Sequence, residues 1–464
     1  MTTKSGAPWP AQMLTLDDFR ESVAAGTVDS IVVASADIQG KLFGKRLPAD
    51  YFLERSMGGI HVPSSMLTYD NEYAFGEGFP EIGSQNAWND MTMVPDLKTL
   101  RFYGHKPRTA VVLCDAKWAN GDRVEYLPRQ ILKNQIDRLA EAGLAMMAAA
   151  ETEFLLFREE YESAAAKNWA NLVRSDEMMA DYNVMQSDID EIFLGDVRRA
   201  LIASGIPVDA VKHEWGKGQH EITLTYSDAM AAADRITLFK TIVKGMAQEA
   251  GLSATFMARY SRQDSGSSGH MHSSLWDLEL QRNLLCDSDS DYPGGLSSTG
   301  RHWLGGMMAN APGMMPLYCP GVNSYKRLDA ATFGPSTLAW GIDVRTVPFR
   351  LCSSGSSAHI ENRIPGADAN FYLAMAAMIA SGLHGIENGT DPIGEPAMTS
   401  VHTPGERLPI TLRDALPMFR DSEVAHAAFG SKVVEHIAVA AEHELSVYER
   451  EVSDIERRRY FQWA

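Results

Sequence analysis

Glu151 and Glu153 stand one residue apart inside AMMAAAETEFLLF, residues 145 to 157, an apolar run dense enough for a buried strand. Successive side chains on a strand alternate faces, so these two carboxylates project into one space. Buried like charges repel and an isolated buried carboxylate is costly. A shared proton, an arginine or a metal ion must compensate. Further donors lie downstream: KHEWGKGQHEITL supplies Glu214 and Glu221, SSGHMHSSL places His270 and His272 on one face of a strand, and SAHIENRI does the same with Glu361 and Arg363. Oxygen and imidazole donors on short strands after Gly-rich turns suit hard cations such as Mg2+ or Mn2+, and the histidine tilts the set toward Mn2+. Cations are therefore the expected neutralisers of Glu151 and Glu153.

Arginines form a second constellation: Arg327 in NSYKRL, Arg345 and Arg350 in VRTVPFRL, and Arg363. Arginine grips phosphate and carboxylate in bidentate fashion, and phosphoryl transfer needs such a clamp on spreading negative charge. No GxxxxGK[ST] occurs, since GKLFGKR has the wrong spacing, and no GxGxxG follows a strand. A nucleotide bound here would not use a P-loop. Each feature also has an ordinary structural reading. A Glu-x-Glu is usually one solvated face, paired histidines often satisfy core hydrogen bonds, and surface arginines form weak ion pairs. Trp215, Trp276 and Trp340 read as core rather than as stacking platforms. Only the conjunction points to chemistry.

These residues need strands to carry them and helices to cover the strands. Strand patterns fall at 220–226, 254–260, 269–276, 344–351 and 358–364, and a β-rich opening segment contains SIVVASADIQGKLFGKRLP (30–48). Helices are expected in YLPRQILKNQIDRLAEAGLA, with Pro128 near the start and Gly143 at the stop, in GDVRRALIASGI, in DRITLFKTIVKGMAQEAGL and in ANFYLAMAAMIASGL, with one or two long helices near the C-terminus. The expected class is α+β on a large antiparallel sheet, with a small β-rich domain to about residue 115 and the remainder, 116–464, as a second domain. The chain has 464 residues, 45% of them hydrophobic, and a formal charge of −18, which argues against a nucleic-acid groove. No apolar run is long enough to span a bilayer. MTTKSGAPWPAQ lacks an export pattern, and the scattered Cys114, Cys286, Cys319 and Cys352 read as reduced thiols of a cytoplasmic protein.

The succession ETEF, HEWGKGQHE, GSSGHMHSSL, NSYKRL, RTVPFRL and HIENRIPGADANFYLA resembles the glutamine synthetase family over nearly the whole chain. The resemblance implies a β-grasp-like N-terminal domain and a catalytic domain that phosphorylates the γ-carboxylate of glutamate with ATP before an amine displaces phosphate. By residue, it implies that Glu153, Glu214 and Glu221 hold one divalent ion, and that Glu151, His270 and Glu361 hold a second on the ATP phosphates, with two or three ions per site. Glu153, Gly266, His270, Arg327 and Arg363 would contact glutamate, with Arg327 on its α-carboxylate. His272, Ser274, Arg345 and Arg350 would face ATP, and Arg345 with Arg363 would stabilise the transferring phosphoryl. Asp37, in DIQGK, resembles an acid that reaches a neighbouring subunit's amine pocket, which Tyr182 would also line. Assembly as two stacked hexamers, a dodecamer, is implied.

The departures cluster around the nucleophile. Where the family carries a PGYEAP-like flap, this chain has DAATFGPSTLAW, with Phe333 where the flap Glu would stand. HVPSSMLTYD replaces an FDGSS-like motif, and His359 stands where an ATP-contacting Arg is usual. An aromatic ring cannot accept a proton, so the expectation is a γ-glutamyl–amine ligase using an alkyl-, aryl- or polyamine, with Asp37 or Glu214 taking the amine's proton. Ordinary glutamine synthesis, a metal-dependent hydrolase and a non-catalytic descendant of the fold are the competing readings.

Overall fold

The computed structural model describes residues 13–179, 181–328, 334–352, 355–399 and 405–463. Phe333 lies outside the described residues. Within them the fold is built on two sheets.

The first sheet comprises β1 (Ser30–Ala36), β2 (Leu42–Pro48), β3 (Ile60–Pro63), β4 (Asp90–Pro95), β5 (Arg101–Phe102) and β6 (Thr109–Lys117), in the order β2-β1-β6-β4-β3 with β5 beside β6. The hairpin read in 30–48 is β1–β2, paired antiparallel with Val33 opposite Lys45. β1 pairs parallel with β6, Val32 opposite Val111. Residues Ile31 and Val33 are fully buried, while β2 carries Lys45 and Arg46 along an exposed edge. Charged residues on an edge strand discourage pairing with foreign strands.

The second sheet carries the site. Its strands are β7 (Leu144–Phe157), β8 (Val208–His213), β9 (Gln219–Leu224), β10 (Ser227–Asp228), β11 (Ser253–Thr255), β12 (Gly269–Asp277), β13 (Trp340–Ile342), β14 (Phe349–Cys352) and β15 (His359–Asn362). The path is β13-β14-β15-β12-β7-β9-β8, antiparallel except for the parallel β13–β14 pair. β7 alternates for most of its length: Leu144, Met146, Ala148, Ala150 and Thr152 are buried, while Ala145, Met147, Ala149 and Glu151 are half-buried. The buried side packs under the helices Pro128–Glu141 and Ala229–Glu249. The other side carries Ala145, Met147 and Ala149 before reaching Glu151.

The helix Pro128–Glu141 starts with Pro128 at its first turn, where the missing N–H costs nothing, and Gly143 follows its end at φ +78°. The helix Phe371–Asn388 is buried on nearly every side and crosses the helix Ser298–Tyr318 closely. A Cβ on Gly382 would sit 2.3 Å from the Trp303 ring, so that crossing requires glycine.

Three local expectations fail. The strand expected over 344–351 begins only at Phe349, because residues 345–348 turn, and Pro348 has no N–H to give a ladder. The strand expected over 254–260 stops at Thr255. The C-terminal segment forms three helices, Glu423–Phe429, Ser431–Arg450 and Asp454–Tyr460, the first two divided by Gly430 at φ +82°. Trp340 is buried, but Trp215 is 55% exposed and belongs to no core. None of the described helices is long and apolar enough to cross a membrane.

Candidate active site

The polar groups singled out in the sequence gather on one face of the second sheet because its registers align them. Across β7–β9, Glu153 stands opposite Glu221, and across β7–β12, Glu151 stands opposite His270. β12–β15 sets His272 against Glu361, and β14–β15 sets Arg350 against Glu361.

Two donor clusters result. Glu153, Glu214 and Glu221 bring ligand atoms within 4.8 Å of one another, as do Glu151, His270 and Glu361. In the first, Glu153 Oε2 accepts hydrogen bonds from the Ser268 N–H at 2.7 Å and from Gln219 Nε2 at 2.9 Å. Burial, with the Glu151 and Glu153 charges, pushes Glu221 up to about 8 even though Lys212 opposes the shift. Lys212 lies opposite Glu221 in the β8–β9 ladder, with Nζ 3.8 Å from it, 3.7 Å from Asp181 and in ion-pair contact with Glu214. The same ammonium sits 4.4 Å from the centre of the Tyr182 ring.

In the second cluster, Glu361 is almost wholly buried between two guanidinium groups and an imidazole. Arg363 Nη1 donates at 2.5 Å, Arg350 Nη1 at 2.9 Å, and His270 Nδ1 lies at 3.3 Å. Burial would raise its pKa, but Arg363 and the imidazoles outweigh burial and hold it down at about 2. Glu151 is likewise held well below the usual range against burial, by the His270 and His272 imidazoles that face it. His270 Nδ1 is 3.6 Å and His272 Nε2 3.4 Å from its carboxylate. Both sets fit a hard divalent cation, since each concentrates carboxylates in a protected pocket and cationic side chains already compete for them.

The remaining expected residues are placed as follows. Arg327 is 3% exposed beneath Gly266; its Nη2 donates to the carbonyl of Arg363 at 3.1 Å and also to that of Ile364. A Cβ on Gly266 would lie 2.3 Å from Arg327 Cγ, so glycine permits that approach. Ser274 accepts from the Trp276 indole at 2.9 Å. Arg350 also donates to Asp343 at 3.1 Å through Nε. Arg345 is exposed on the turn before β14, not on a strand. Tyr182 is 63% exposed. Asp37 closes its own β1–β2 turn, accepting from the N–H groups of Gln39 at 3.0 Å and Lys41 at 2.8 Å, and burial raises it to about 6. Asn370 binds that turn to the second sheet's helices by donating to the carbonyls of Asp37 at 3.1 Å and Ile38 at 3.0 Å.

Sequence reasoning missed Lys212, Asp181 and Gln219. Lys212 and Glu214 share a face by the two-residue spacing, which was the available signal. Gln219 gave none, because its contacts with Glu153 and with the Gly266 carbonyl at 3.0 Å depend on a turn.

The description "glutamine synthetase, catalytic domain" matches residues 125–460. The chain belongs to the glutamine synthetase family. Within it, this chain is 36% identical to the gamma-glutamylethanolamide synthetase GlnA4 of Streptomyces coelicolor, over 97% of this chain and 96% of that one. It is 35% identical to a glutamate–isopropylamine ligase of a Pseudomonas species, over 97% and 98%. The solved GmaS/ADP complex superposes with a TM-score of 0.83 at 26% identity, covering 96% of this chain and 99% of that one. This glutamine synthetase family member therefore falls in the γ-glutamyl–amine ligase branch and is an ATP-dependent ligase of the glutamine synthetase type.

Proposed function

We propose that the protein joins the γ-carboxylate of L-glutamate to an amine other than ammonia through a γ-glutamyl phosphate, releasing ADP and phosphate. The observation that carries this reading is the pair of adjoining donor clusters, Glu153/Glu214/Glu221 and Glu151/His270/Glu361, with Arg350 and Arg363 braced on the second. Mg2+ or Mn2+ held by these six residues would supply positive charge beside the nucleotide's phosphates.

The chain's own groups then divide the work. Arg327 faces the substrate's α-carboxylate, and Gly266 offers backbone close to its amino group. Glu361 keeps Arg350 and Arg363 extended, so their remaining N–H groups can grip a phosphoryl as its charge spreads. His272, Ser274 and Arg345 belong to the nucleotide side. The glutamate γ-oxygen attacks the terminal phosphorus and ADP leaves. The amine nitrogen attacks the acyl carbon, and phosphate departs with the former carboxylate oxygen. An alkylammonium has a pKa near about 10.4, so it must lose a proton first. Glu214, or Asp37 of a neighbouring chain, accepts that proton, and Tyr182 lines the amine's approach. Asp37 serves this role across an interface in a dodecamer of two stacked hexamers. The division into a domain to residue 115 and a catalytic domain from 116 accompanies this reading. Free thiols at all four cysteines fit a cytoplasmic enzyme.

A panel of ammonia, methylamine, isopropylamine, ethanolamine, aniline and putrescine, each with glutamate and ATP, tests the proposal by phosphate release. The reading requires an amine other than ammonia to have the highest kcat/KM. Ammonia as the best nucleophile would restore ordinary glutamine synthesis.

A further inference from the structure

Beside the second carboxylate cluster lies a group of different chemistry. His272, Cys352 and His359 bring an imidazole nitrogen, a thiol sulfur and a second imidazole nitrogen within 4.8 Å of one another. The topology makes the group. Cys352 and His359 are register partners across β14–β15, and His272 projects beside them from β12, with its ring centre 5.1 Å from that of His359.

None of the three is tied up in a strong hydrogen bond at its donor atom. His272 Nε2 is buried and faces Glu151 Oε1 at 3.4 Å without forming a well-made hydrogen bond. Among the described residues, the Cys352 thiol meets the Arg350 carbonyl at 3.7 Å and Glu361 Oε2 at 3.9 Å, both long contacts. His359 Nδ1 lies 2.8 Å from the Ser357 carbonyl. A carbonyl can only accept, so Nδ1 carries the proton and Nε2 keeps its lone pair outward. That arrangement orients an imidazole ligand for a metal.

We infer that His272, Cys352 and His359 form a third cation site, selective for a borderline-soft divalent ion such as Zn2+ and distinct from the two carboxylate clusters. Two nitrogens and a thiolate suit Zn2+ and disfavour Mg2+, whose preference is for oxygen. Three protein ligands would leave a fourth position of a tetrahedral ion for water. The inference goes beyond the proposed reaction, which uses neither Cys352 nor His359.

Cobalt(II) is the probe, because thiolate ligation gives it a near-ultraviolet charge-transfer band that oxygen ligation does not. The full-length protein is titrated with Co2+ under saturating Mg2+, which fills the oxygen clusters. The inference expects one equivalent of Co2+ to raise the band, Zn2+ to abolish it competitively, and Cys352→Ser to eliminate it. His359→Gln alters a half-buried ring and, independently of the thiol's packing, should weaken Co2+ binding by more than about tenfold. A wild-type protein without the band, a band that survives Cys352→Ser, or unchanged affinity in His359→Gln would overturn it. None of these readouts depends on which amine the enzyme uses.

Discussion

Glu153 and Glu221 face each other directly across the β7–β9 ladder, both nearly buried, at positions where like charges destabilise a sheet. The fold tolerates the pair by three means at once. Backbone and amide donors hold Glu153, burial raises Glu221 so that it can keep a proton, and Lys212 brings an ammonium to the cluster. A divalent cation would replace the proton and the ammonium together.

Glu221→Gln should therefore change sign with the cation. Without added metal the variant should unfold at a higher temperature than the parent, because the amide removes the cost of keeping a buried carboxyl protonated at neutral pH. With Mn2+ at a hundredfold excess over its Kd the parent gains about 2.7 kcal/mol and the order reverses. Thermal melts with a chelator and with Mn2+ check both halves.

Lys212→Gln should tighten divalent binding. An ammonium near 4 Å from a carboxylate attracts it by about 4 kcal/mol at an effective dielectric of about 20, and a cation entering the cluster must overcome that hold. Calorimetric Mn2+ titration should show at least about a tenfold gain in affinity, since about 1.4 kcal/mol of relief suffices for that. Unchanged affinity would mean the ammonium swings away without cost.

Arg129 anchors the sheets to each other. It is 3% exposed and binds Asp96 at 2.8 Å, Asp115 at 2.5 Å and Asp234 at 3.1 Å, while Tyr372 donates to Asp234 at 2.7 Å. Arg129→Met leaves the buried Asp234 charge without its guanidinium partner and should cost about 3–5 kcal/mol in urea unfolding. Adding Asp234→Asn should recover part of that loss.

His436 sets an acid limit. Its ring is buried between Phe79 and Tyr126, its Nε2 lies 3.0 Å from the Leu67 carbonyl, and burial lowers its pKa from 6.5 to about 4. Between those values the unfolded chain binds the extra proton, so stability rises with pH across that window and falls as acid is added. The contribution lost from pH 6.5 to 4 should be about 3 kcal/mol. His436→Gln should flatten that part of the unfolding profile.

The two-residue spacings made the shared faces of Glu151 with Glu153, His270 with His272 and Glu361 with Arg363 legible in the sequence. Which strand lies beside which was not legible from spacing. Glu153 meets Glu221, and Glu151 meets His270, through registers set by sheet order; the grouping of these donors rested on the resemblance of ordered motifs. Lys212 went unread because a lysine before a glutamate usually marks a solvated edge. Cys352 and His359 were not read as a pair because only the β14–β15 register makes them neighbours. Arg345 was placed on a strand that Pro348 and the preceding turn cut short.

In the proposed reaction glutamate's own γ-oxygen attacks the nucleotide and leaves with phosphate. Glutamate labelled with oxygen-18 in the γ-carboxylate, incubated with ATP and the preferred amine, tests this by mass spectrometry of the products. Each phosphate released should carry one labelled oxygen, and the γ-glutamyl amide should retain one. Unlabelled phosphate, carrying oxygen from water instead, would contradict it.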